Sequence, residues 1–262
     1  MSVHLYINEQ VNNAKQHLFQ KFKYHDFHNH EDINKYLEES IKAILSVKTW
    51  IKHFEGNEIF PKGVAEYIKE IVSNLNQVTI LGILGFKSPS YAMLRRSLEN
   101  ILVFLYYKDH PVEFFKKNIS EGSLHRLKDL KEYIKSYPFE LIYSHYEESK
   151  DKKDKIEVSK KFVRKTILVW EQEYSELSKY IHASNPKYLD LINYIDEIHP
   201  SSTDLETLSD RIKKLNSIVN SLLIIFFPIQ YQRLFNDTEK SLIRISIENS
   251  TEKERFLENL EA

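Results

Sequence analysis

Apolar residues recur at three- and four-residue spacing along most of the chain, the period of a helix with one buried face. Leu5, Val11, Leu18 and Phe22 mark the first such segment, over residues 3–24. Ile33, Leu37, Ile41, Ile44, Leu45 and Ile51 predict a second helix, to about Phe54. Asn29 caps it in this reading, and Glu31 and Asp32 suit the dipole of its first turn. A third stripe runs from Val64 through Ile68, Ile71, Val72, Leu75 and Val78 to Leu81, with Pro61 in its first turn and Gly82 and Gly85 stopping it. Ser88 followed by Pro89 is the start signal for a fourth helix, over 89–109. That helix is apolar on every side from Ile101 to Tyr107, and a helix without a polar face belongs inside a bundle.

Beyond Pro111 the pattern predicts shorter helices over 112–119 and 122–137. The run Glu147–Lys161 is highly charged and reads as a solvated loop or the start of a helix. A long helix covers 156–184 and ends at Asn185-Pro186; a short one follows over 188–198. Ser202 or Thr203 caps another long helix reaching Phe235, which Pro228 should kink. Asn236-Asp237 and then Ser250 start the last two. The fold class is therefore all-α: a bundle of about eight to ten helices around central ones near 89–109 and 156–184. No internal repeat or linker divides it, so residues 1–262 read as one domain, with the N-terminal helices over 1–55 as a candidate peripheral layer.

Composition sharpens this picture in a few places. Five Gly and seven Pro leave little turn material for a β-rich fold. Lys and Arg number 37 against 38 Asp and Glu, a balance that predicts no wholesale attraction to nucleic acid or an anionic membrane but leaves a local basic face open. With no Cys there are no disulfides or thiolate metal sites, which fits a reducing cytoplasm. The N-terminus lacks the basic and apolar regions of a secretory signal. The most apolar run, Leu222–Ile229, contains Pro228 and falls far short of the roughly 20 residues of a bilayer span, so the expectation is a cytoplasmic protein without membrane contact. Gly-rich phosphate loops, G-x-S-x-G and H-E-x-x-H are all absent, and no cofactor is expected. The 16 Tyr and 15 Phe read chiefly as core, with base stacking as the functional alternative. Leu222–Tyr231 is either core or half of a homodimer interface.

Candidate chemistry sits on two helices. At about 100° per residue, Val163, Ile167, Trp170, Tyr174, Leu177 and Ile181 share a core stripe. Ser178 and His182 run off one edge of that stripe as successive i,i+4 neighbours of Tyr174. On the helix over 89–109, Arg95, Glu99 and Tyr106 flank the stripe of Leu94, Leu98, Ile101 and Leu105, and Arg96 also lies within reach of Glu99. Ions so near an apolar surface must be paired or line an opening. They either form two satisfied polar clusters that fix helix register, or converge in one pocket. In the pocket reading, Arg95 or Arg96 is a cation for an anionic group, Glu99 a carboxylate, and His182 with Ser178 the acid–base pair; Tyr174, Tyr106 and Arg164 are candidate binding residues.

The combination of R-S-L-E (Arg96–Glu99) with Y-x-x-L-S-x-x-x-H (Tyr174–His182) resembles HEPN-like bacterial helical proteins, over about residues 60–190. The resemblance implies a helical bundle, often dimeric, encoded near defence systems and mobile elements. In its catalytic form it implies a metal-independent ribonuclease with an Arg four to six residues before a His. No Arg stands at that spacing before His182, so Arg96 or Arg164 would have to supply the cation. The leading expectation is thus a defence or toxin component that cleaves or binds RNA, or engages a partner protein. The alternative is a non-enzymatic interaction or regulatory subunit. A second alternative rests on His25, His28 and His30 with Asp26, Glu31 and Asp32, a metal-ligand set whose His25-Asp26 pair resembles helical HD phosphohydrolases.

Overall fold

A computed structural model describes residues 3–22, 31–55, 60–61, 63–120, 126–144, 150–182, 185, 188–189 and 200–261. Among these the chain forms eleven helices and no strand. They are α1 (Val3–Phe22), α2 (Glu31–Glu55), α3 (Glu66–Ile83), α4 (Lys87–Tyr107), α5 (Pro111–Ser120) and α6 (Leu127–Lys135). After these come α7 (Lys150–Ile181), α8 (Ser202–Phe226), α9 (Pro228–Leu234), α10 (Asp237–Ser246) and α11 (Thr251–Glu261). The all-α bundle expected from the spacing is what is observed. The short helix expected over 188–198 falls largely outside the described residues.

The most extensive packing is between α3 and α4 and between α2 and α8, with α7 lying on both α4 and α8. Burial follows the apolar runs. Leu98, Ile101, Leu102, Phe104 and Leu105 of α4 are wholly enclosed, and every residue of α8 from Leu215 to Phe226 is buried. Among the N-terminal helices, α2 is an inner helix and not part of an outer layer: Tyr36, Leu37, Ala43 and Trp50 are fully buried. Three of its buried side chains find hydrogen-bond partners inside the fold. Ser40 Oγ donates to Tyr36 O, Ser46 Oγ donates to Asn216 Oδ1 (2.7 Å), and Trp50 Nε1 donates to Asn220 Oδ1 (3.0 Å). Satisfied polar groups widen the face a helix can bury. In α1 the inward residues are Ile7 and Val11, whereas Leu5 points to solvent.

Several boundaries differ from the sequence expectation for identifiable reasons. Ser88 and Pro89 lie inside the first turn of α4, because Gly85 takes positive φ (82°) and turns the chain early, leaving Phe86 in the cap position. The charged run is no solvated loop where it is described, since Lys150–Lys161 forms the first turns of α7. Lys152, Lys155 and Ser159 are buried there, and Lys155 Nζ donates to the carbonyl of Asn259 near the end of α11. Ser201, one residue earlier than expected, caps α8 by accepting from Asp204 N (3.1 Å). Pro228 breaks the helix instead of kinking it: α8 and α9 meet at 89° around Phe227. Asn236 and Glu239 close a reciprocal capping box on α10, and Ser250 Oγ accepts from Lys253 N to start α11. No single described helix is long and apolar enough to cross a membrane; the α8–α9 pair reaches that length and composition only across its bend, and most of its apolar residues are core, with Leu234 exposed.

Gly82 lies within α3, where alanine would ordinarily stabilise a helix by up to about 1 kcal/mol. Here a Cβ would run into Tyr36 Oη and Cζ, with Leu208 Cδ1 3.1 Å away. Tyr36 cannot yield cheaply, being fully buried with its hydroxyl donated to Val78 O (2.5 Å). Gly82→Ala is therefore expected to destabilise the protein by about 1–3 kcal/mol in urea denaturation. Tyr36→Phe in the same chain should recover part of that loss.

Candidate functional site

The two polar-marked helices do face each other. Trp170 of α7 donates its indole N–H to Leu98 O of α4 (2.8 Å), which holds the two backbones in register. Tyr174 stacks on Trp170 with ring centroids 4.8 Å apart and planes 10° from parallel. Its hydroxyl donates to Glu99 Oε1 (2.9 Å) and accepts from Arg95 Nη2 (2.5 Å). Arg95 also lies 3.3 Å from Glu99 Oε1, with its guanidinium carbon 4.8 Å from the Tyr174 ring centroid. Burial raises the Tyr174 phenol above its ordinary pKa; the Arg95 hydrogen bond opposes the shift and Glu99 reinforces it. The stack continues on its other side, where Lys131 Nζ of α6 sits 5.7 Å from the Trp170 ring and 2.7 Å from Glu171 Oε1. Lys135 also reaches Glu171 (3.3 Å), and these two lysines, Lys131 first, lower the Glu171 pKa. Each cation along this seam is paired with a carboxylate, Lys131 and Lys135 sharing Glu171.

The remaining expected members go elsewhere. Arg96 is exposed and turns to Glu70 of α3, which also accepts from Asn100 Nδ2 (3.0 Å). Ser178 Oγ donates to Tyr174 O (2.7 Å), along its own helix and not to His182. His182 is exposed just beyond the end of α7, and only its backbone N–H, bonded to Ser178 O (3.1 Å), is held by described residues. Arg164 is exposed on the outer face of α7. Tyr106 belongs to a different cluster near the far end of α4, where it stacks flat on His110 (4.0 Å, 2°) and edge-on to Tyr133. His25, His28 and His30 lie outside the described residues. Among the described ones no group of His, Asp or Glu is arranged to hold a metal ion.

Glu173 and Lys108 are further enclosed charges, beside Lys152 and Lys155, that the pattern of the sequence did not single out. Glu173, only 3% exposed, meets Arg211 of α8 through Oε2–Nη1 contact at 2.8 Å, while its Oε1 has no partner. Burial pushes the Glu173 carboxyl above its usual pKa despite Arg211. The helical angles place Glu173 beside the core stripe, on the side opposite His182, but carry nothing of its partner on α8. Lys108, at the end of the apolar run of α4, has an enclosed side chain with Nζ 4.7 Å from the Tyr137 ring and 2.5 Å from Asp109. Burial lowers its pKa, and burial likewise pushes the Tyr137 phenol up to about 12.

Of the cavities lined by described residues, four of the best formed include none of Arg95, Glu99, Ser178 and His182. The largest, about 740 Å³, lies between α1, α2 and the start of α10. An acid-rich cleft of about 320 Å³ separates the start of α2 from α8 and includes Asp32. No family model, curated protein or solved structure matches this chain.

Proposed function

We propose that this chain works without catalysis, as a helical interaction or regulatory subunit in which the polar groups of α4 and α7 fix how the helices pack. One observation carries the reading: Arg95 Nη2, Glu99 Oε1 and Tyr174 Oη bond to one another across α4 and α7, although Arg95 Nε is buried with no partner among the described residues. The acid–base partner that a ribonuclease would need stands apart, because Ser178 is turned to its own backbone and His182 is exposed beyond the helix end. General acid–base catalysis requires the imidazole within hydrogen-bond reach of the reacting group while a cation faces the same group. What the chain shares with the HEPN-like expectation is an all-helical architecture, and a fold class by itself carries no activity. The test is incubation of purified protein and of His182→Ala with labelled single-stranded RNA, with and without divalent metal. Neither protein should cleave above buffer, and the two should share one melting temperature, since His182 is exposed. Cleavage by the parent that His182→Ala abolishes would reverse the reading in favour of the ribonuclease.

A further inference from the structure

We propose that the crevice between α7, α8 and the α10–α11 corner binds a small carboxylate bearing a short hydrocarbon chain. The crevice has a volume of about 120 Å³. That is room for about four waters, or for an acid with a chain of about four carbons. Phe162, Val169, Ile218 and Ile247 give it an apolar floor. Into this floor is set Ser221, a residue only 3% exposed, whose hydroxyl has no hydrogen-bond partner among the described residues. One turn earlier Ser217, also buried, accepts the Glu248 backbone N–H (2.9 Å), which leaves its own proton to donate.

The rim adds donors. Ser250 Oγ takes the N–H of Lys253 (3.1 Å), the third residue of α11. The N–H of Thr251 then has no intrahelical acceptor, whereas that of Glu252 is held by its own carboxylate, and the positive end of an eleven-residue helix borders the crevice. Asn249 Oδ1 already accepts from Lys253 Nζ (2.9 Å), and its amide N–H groups have no partner among the described residues. Two acids stand nearby. Glu252 is paired with Lys165 at 2.5 Å, and Glu248 is exposed at the rim. The Ser221 and Ser217 hydroxyls and the Thr251 N–H remain as donors at the crevice, and an acceptor group satisfies all three. Inorganic phosphate would leave the hydrocarbon floor uncovered, whereas butyrate covers it.

The test compares melting temperatures of the full chain in butyrate, butanol, butylammonium and inorganic phosphate at equal ionic strength. Saturating butyrate should raise the melting temperature by about 2 °C or more. Butanol and butylammonium should not, and phosphate should do less. Ser221→Val, which fills the crevice and removes the hydroxyl, should abolish the butyrate shift. Should that variant not fold, a crystal of the parent protein grown with butyrate decides, and density for the acid against Ser221 supports the assignment. No shift, an equal shift with butanol, a larger one with phosphate, a shift that survives Ser221→Val, or a crevice holding only waters would overturn it.

Discussion

Arg211→Ala is expected to destabilise the protein by about 3–5 kcal/mol, because it leaves the buried carboxylate of Glu173 without its counter-charge. Glu173 is 3% exposed and one of its oxygens already lacks a partner, so the second would lose its only close one; Lys214 lies 3.9 Å away. The pair as a whole is worth far less than that, since desolvation offsets most of the attraction. Glu173→Leu combined with Arg211→Met should therefore lie close to the parent in urea denaturation. The pH dependence has a definite sign. The folded-state pKa of Glu173 is raised above its ordinary 4.5, so its stability contribution is present below that value and is lost as pH rises through the folded pKa. Removing Arg211 raises that pKa further. The deficit of Arg211→Ala should thus be largest near neutral pH and shrink as the solution is acidified.

Trp50→Ala should cost a similar amount, about 3–5 kcal/mol, by opening a cavity where α2, α8 and α9 meet. The ring is fully buried and packs on Phe54, Phe227, Tyr231 and Phe235 at centroid distances of 4.7 to 6.4 Å. The substitution also removes the indole donor to Asn220 Oδ1, leaving that acceptor in the core. Trp50→Phe keeps most of the volume and removes the donor, so it should show the smaller loss, about 1–3 kcal/mol. Equal losses for the two variants would mean that the hydrogen bond, and not the cavity, dominates.

How far the sequence could be read depended on whether the deciding interaction was local. The enclosed middle of α4 followed from the unbroken run Ile101–Tyr107, and the start of α10 followed from Asn236-Asp237. Both are set by residues within a few positions of each other. At the beginning of α7 the charged run is a helix start, one of the two forms expected, but it is not solvated throughout: Lys155 is buried against a carbonyl of α11, about a hundred residues away, and a count of charges along the chain carries no trace of that. Glu173 was passed over for the same reason, its partner Arg211 being on another helix. At the candidate site, helical angles placed Arg95, Glu99 and Tyr174 at helix edges, and the contact between α4 and α7 brought them together. The same angles put Ser178 and His182 on neighbouring turns, but they could not tell that the hydroxyl bonds its own backbone or that the helix ends at Ile181, before the histidine.

Whether the α4–α7 cluster is a packing clasp or an open set of reactive groups is a question about how strongly its members depend on one another. A clasp needs the Arg95–Tyr174 contact to contribute to folding; groups poised for a ligand would be nearly independent until the ligand arrives. The coupling free energy between these two residues separates the cases. Urea denaturation of Arg95→Met, Tyr174→Phe and the double variant should give a favourable coupling of about 1 kcal/mol or more, whereas additivity to within about 0.3 kcal/mol would contradict the clasp.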